Sequence, residues 1–161
     1  MTYRPLNNSS NNRKTDMLKR RWLRIQSSEG KATVSKLLES LPPTDREFCV
    51  WGHVSAGTKA LQVAGVGAAL LNRLGDRCTA PTDEPDIAAA VMGTFLRFGE
   101  TMVNEKHPQI RFGEVISTGR HIQYRFGIVP ALSDDGKDGA WLCILDWSRR
   151  TEAAANNRCA A

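Results

Sequence analysis

Three histidines, four cysteines and a few clustered aspartates are the side chains of this 161-residue sequence best suited to catalysis or metal binding. Their spacing serves neither. Cys49, Cys78, Cys143 and Cys159 lie far apart, which excludes a zinc ribbon and a CxxC redox pair. The start of the chain, MTYRPLNNSSNNRK, lacks the apolar run of a secretory signal, so the expectation is reduced thiols and a cytoplasmic location. Cys159 is third from the end, whereas a prenylation box needs it fourth. Asp134, Asp135 and Asp138 surround Gly136, where turn geometry favours aspartate, and they do not match a calcium loop. There is no GxSxG, no HExxH, no P-loop and no glycine-rich dinucleotide fingerprint. The expectation is a protein that is not an enzyme, with no predicted metal or cofactor.

The elements that would carry any other function are those of one ordinary domain with residues to spare. Hydrophobic residues make up 41% and charged residues 24%, enough for a core and too apolar for a wholly disordered chain. No run approaches 18 apolar residues, so membrane insertion is not expected. The net charge of +5 is concentrated: residues 1–46 hold ten Lys/Arg against four Asp/Glu, and the remainder is close to neutral. A basic segment on a neutral body points to an acidic contact for that segment only.

Residues 1–12, rich in Asn and Ser, read as a disordered tail. Residues 13–45 read as a basic helical extension. In it Leu18, Trp22 and Ile25 share one helical face, Asp16 is placed to cap the start, and a second short helix through Val34, Leu37 and Leu38 stops at Pro42-Pro43. The body runs from 46 to 150. Strands are expected at 47–54 and 59–64 around a turn at 55–58. A short helix follows through Val66, Leu70, Leu71 and Leu74, with Gly75 as its C-terminal cap. Ile87, Val91, Phe95, Phe98 and Met102 then mark an amphipathic helix over about 87–104 that ends before Pro108. Three strands close the domain at 109–117, 120–132 and 140–147. The second alternates strictly, and the third, AWLCILDW, is apolar on both faces and must be central and covered twice. Residues 151–161 read as a flexible tail. The fold class is therefore α+β: a five-stranded antiparallel sheet with a helical crossover and an N-terminal helical extension.

This element order resembles that of PAS domains, and particular stretches sharpen the likeness. Gly119-Arg120-His121-Ile122-Gln123-Tyr124-Arg125-Phe126-Gly127-Ile128-Val129-Pro130-Ala131-Leu132 resembles a PAS strand ending in a Val-Pro pair. Asp134-Asp135-Gly136 is similar to the turn that follows, and Trp141–Asp146 with Arg149-Arg150-Thr151-Glu152 to the closing strand and charged helix start. Phe48-Cys49-Val50 and Leu61-Gln62-Val63-Ala64-Gly65-Val66-Gly67 resemble the opening strands of a divergent PAS group common in alphaproteobacteria. The likeness covers about residues 46–152. It departs in the crossover, which is short.

The resemblance implies a sensory or protein-interaction module, with small ligands held between sheet and crossover helix. Phe95, Phe98, Tyr124, Phe126 and Ile128 would line such a pocket; a filled core is the other reading of the same residues. A flavin photoreceptor of this family needs Asn-Cys-Arg-Phe on the crossover helix, and Cys78 stands instead in Arg77-Cys78-Thr79. A haem member needs an axial histidine; His107 precedes Pro108 at a helix end, His53 ends its strand, and His121 lies on a polar strand face. The family also implies dimers, formed through the sheet's outer face and N-terminal helices. The face of 140–147 not packed on the crossover helix needs cover from the Trp22 helix, a second subunit or both.

The function expected is a single-domain cytoplasmic PAS regulator acting through a signalling protein partner in a bacterial phosphorelay. Arg20, Arg21, Trp22 and Arg24 are the partner-binding candidates, against a reading in which Trp22 packs on its own domain. The alternative is a nucleic-acid-associated protein, since six Lys/Arg between 13 and 24 suffice for salt-sensitive phosphate binding. The final Ala160-Ala161 resembles the small apolar ends that bacterial proteases read as degradation tags, or is a frayed end that nothing reads.

Overall fold

A computed structural model of the chain describes residues 11–75, 84–103 and 106–149. Three helices lead: α1 (Asn11–Glu29), α2 (Val34–Ser40) and the short α3 (Pro43–Arg46). Strands β1 (Cys49–Val54) and β2 (Leu61–Val66) follow, then α4 (Ala68–Gly75) and α5 (Glu84–Val103). The chain then forms β3 (Gln109–Ser117), β4 (Arg120–Ala131) and β5 (Ala140–Arg149). All five strands join one sheet in the order β2-β1-β5-β4-β3, every pairing antiparallel. The last strand is thus the central one, as its two apolar faces require: Trp141, Leu142, Cys143, Ile144 and Leu145 are all fully buried.

Alternation along the strands divides the interior into two cores. On one face α4 and α5 pack Leu70, Ile87, Val91 and Phe95 against Ile122, Phe126, Trp141 and Cys143. On the other, α1 and α2 pack Leu18, Trp22, Val34 and Leu37 against Val129, Leu142 and Ile144. The cover for the second face of β5 therefore comes from the chain's own Trp22 helix.

That cover is fastened by the backbone. β3 pairs with β4 only as far as Ile128, so the end of β4 beyond it is open on that side. Segment 32–34 takes the place of β3 there: Val34 N–H donates to the Leu132 carbonyl at 3.1 Å, and Leu132 N–H donates to that of Ala32 at 2.9 Å. Asp134, from the β4–β5 turn, accepts from the Ser35 N–H at 3.2 Å and from its hydroxyl at 2.6 Å. It joins Thr33, whose Oγ1 accepts from the Lys36 N–H, in capping α2.

Several local expectations are corrected. Asp16 does not cap α1, which begins at Asn11 and so also takes in the last two residues assigned to the disordered tail. β2 begins at Leu61 rather than 59, because Lys59 closes the preceding turn at φ 56°, a left-handed conformation no strand accepts. Val66 belongs to β2, paired with Val50, and not to the following helix. Gly67 makes the break: its N–H bonds the Cys49 carbonyl, and a Cβ there would lie 2.4 Å from the Glu47 oxygen. Leu71 faces solvent. The α3 turn was not foreseen.

Candidate sensor core and contact face

The alternation of β4 and the periodicity of α5 bring the expected aromatic residues together. The Phe95 ring meets Phe126 edge-on at 5.6 Å, and Tyr124 stacks on Phe126 at 5.3 Å. Phe95, Tyr124, Phe126 and Ile128 are all buried in one core. Phe98 sits at its rim, half-buried, with the Arg111 guanidinium 3.4 Å from its ring centre.

Trp141 is the central residue that the pocket assignment left out. Its ring lies 5.6 Å from Phe95, and it is fully buried. Gly52 opposite makes room for it, since a Cβ there would fall 2.9 Å from the indole and 1.8 Å from the Gln62 carbonyl oxygen. Among the described residues Trp141 Nε1 has no hydrogen-bond partner. A buried donor left so is costly unless water or a ligand meets it. Its parity with Cys143 and Leu145 on an all-apolar strand was the signal that could have placed it here.

The thiols face away from chemistry. Cys49 lies in the core under α1 and Cys143 in the core under α5, on opposite faces of the sheet. Burial pushes Cys49 up to about 12 and raises Cys143 well above its ordinary value. His53, His107 and His121 are exposed, His121 Nδ1 lying 3.8 Å from a Glu114 oxygen. Cys78, Cys159, Ala160 and Ala161 lie outside the described residues.

Of the four partner-binding candidates, α1 turns Trp22 inward, where its Nε1 donates to the Pro130 carbonyl at 2.6 Å. Arg21 is half-buried, while Lys19, Arg20 and Arg24 are exposed. Further back on the helix, Thr15 Oγ1 accepts from Arg125 Nε at 2.7 Å, and Asp16 lies 3.4 Å from the same guanidinium. Lys14 stands 4.0 Å from Asp45 and 4.3 Å from the Phe48 ring centre. Arg73, from α4, stands 5.0 Å from that ring. Between these cations Asp146 is largely buried, and desolvation raises its pKa although Lys14 and Arg73 pull it down.

The cover provided by α1 stops short of β3. On the face it shares with α1, β3 presents Phe112 and Ile116, which are 59% and 66% exposed. Phe112 lies opposite Arg125 and Ile116 opposite His121. Sequence reading missed this pair, because an edge strand and an inner strand can carry the same alternation.

Five antiparallel strands with β5 central, and helices crossing one face between β2 and β3, are the arrangement that the sequence reading expected. The fold is PAS-like. Solved structures similar to it include the PAS domain of Bordetella pertussis BvgS. That match has 16% identity and a TM-score of 0.40, and covers 69% of this chain and 82% of that one. The light-state LOV domain of the blue-light photoreceptor Aureochrome1 matches at 12% identity and a TM-score of 0.37, over 71% and 90% of the two chains. The Vibrio cholerae VqmA dimer, solved in the absence of target DNA, matches at 14% identity and a TM-score of 0.37, over 73% and 52%. No family model and no curated protein matches the sequence. No described helix of the PAS-like domain is long and apolar enough to cross a membrane.

Proposed function

We propose that this PAS-like domain is a regulatory module of a signalling system, acting by protein contact rather than by catalysis. The observation that carries the reading is the Phe112–Ile116 pair. Two large apolar side chains stand in water on a sheet face whose central strands α1 and α2 cover, and exposed apolar surface beside a covered face supports an interaction site. Arg20 and Arg24, exposed on the outer side of α1, are the charged groups we assign to the same role. Cytoplasmic bacterial phosphorelay signalling is the setting we propose. The test is capture of a partner from the native cell by the wild-type chain and by a Phe112→Asp/Ile116→Asp variant. Loss of a captured signalling protein supports the reading; an unchanged captured set overturns it.

A sensory role has its own support in Trp141. A small, mostly apolar molecule with one acceptor would satisfy its indole N–H within the aromatic core. A nucleic-acid role would rest on Lys19, Arg20 and Arg24, and it requires binding that weakens steeply with salt. Absence of binding to DNA and RNA at low salt removes it.

A further inference from the structure

β3 is an edge strand whose outer side is open. It pairs with β4 along its whole length, from Gln109↔Ile128 to Ser117↔Arg120, without a register shift. Among the described residues no strand pairs its outer side. Natural edges are protected by proline, by charged side chains, lysine above all, or by a bulge; QIRFGEVIS has no proline, lysine or bulge, and two charges. Those charges lie against their own domain, Arg111 over the Phe98 ring and Glu114 accepting from Gln123 Nε2 at 3.3 Å.

We propose that β3 pairs antiparallel with β3 of a second copy of this chain, about a two-fold axis at Gly113. From the function proposed above, this takes only that the β3 face is a contact surface. The register follows from the sequence. Edge-to-edge pairing joins like faces of the two sheets, so the axis must pass through a residue rather than between two. An axis at Arg111 sets Arg111 against its own copy, and one at Glu114 sets Glu114 against its own, both like-charge pairs directly opposite. An axis at Phe112 leaves Ile116 and Ser117 without partners in the second β3. The axis at Gly113 engages the whole strand. It places Ile110 beside Ile116 of the second copy twice, and Phe112 beside the side chain of Glu114.

Gly113 suits that position for a reason internal to the domain. A Cβ there would lie 2.6 Å from Tyr124 Oη, so the residue at the axis has no side chain. The product is one continuous sheet running through both copies, with the exposed apolar residues of each flanking the axis.

The experiment uses the full-length chain with Cys78→Ser and Cys159→Ser, to which Ile110→Cys or Ile116→Cys is added. Each variant is oxidised alone and in an equal mixture with the other, after near-UV circular dichroism confirms a wild-type fold. The mixture should form a disulfide-linked dimer, because opposed residues have Cα atoms within disulfide range. Each variant alone should not, because its cysteines would be six positions apart in register, roughly 20 Å. No link in the mixture, or equal links in the separate samples, overturns the pairing, as does a wild-type chain that stays monomeric by light scattering at high concentration. A monomeric wild type whose Phe112→Asp/Ile116→Asp variant loses a captured partner would overturn self-pairing and leave the proposed function standing. Cross-linking in the mixture, with capture unchanged in that variant, would do the reverse.

Discussion

Trp22 ties the basic segment to the sheet by both packing and a hydrogen bond. Its ring is buried against the sheet and its Nε1 meets a carbonyl that β3 leaves open. Trp22→Phe should keep most of the packing and strand the Pro130 carbonyl. The expected cost is about 1–3 kcal/mol, read from urea unfolding. Asp146 makes the opposite prediction. Its pKa is raised by burial above the ordinary 3.8, so the native state holds the proton more tightly than the unfolded chain. The group's contribution is then complete below that value and is lost as pH rises through the native one. Asp146→Asn should therefore raise the urea midpoint at pH 7, and the gain should vanish near pH 3. At this scale the sequence was partly legible. The period of Leu18, Trp22 and Ile25 showed a face, and a face that pairs with an apolar sheet is self-explanatory once the sheet exists. What periodicity could not show was the object it packs on, nor that Trp141 would keep an unmet donor.

Among the elements, β3, β4 and the interior of β5 follow their sequence signals closely, because period-two alternation and a turn at Thr118-Gly119 leave little freedom. Both turn residues have positive φ, 51° and 74°, the geometry that suits the twist of a hairpin. The seam between segment 32–34 and Leu132 had no such signal: a single parallel bridge across 99 positions leaves no period behind. Its energetic test is Asp134→Ala, which removes the acceptor for two Ser35 donors and should cost about 1 kcal/mol, as a lost helix cap does. The β2–α4 junction depends on Gly67. Gly67→Ala forces a Cβ against the Arg46 and Glu47 carbonyl oxygens, neither a flexible side-chain end, and should destabilise by roughly 1–3 kcal/mol in the same measurement.

For the molecule as a whole, the two-core architecture makes the N-terminal helices part of the domain rather than an appendage. Removing residues 1–30 would uncover Leu142, Ile144 and Val129, so the shortened chain should bind a hydrophobic dye such as ANS and lose near-UV circular dichroism. A shortened chain that stays compact and dye-free would show that the sheet can stand with one face open. The joining of α1 to β4 also has a consequence in time. Trp22 and its acceptor Pro130 are 108 positions apart, and Thr15 and Arg125 are 110 apart. α1 leaves the ribosome before β4 and β5, which carry most of the sheet surface that it covers. Until those strands emerge, Leu18 and Trp22 lack the sheet they pack on, and apolar surface left open in this way exposes a nascent chain to aggregation.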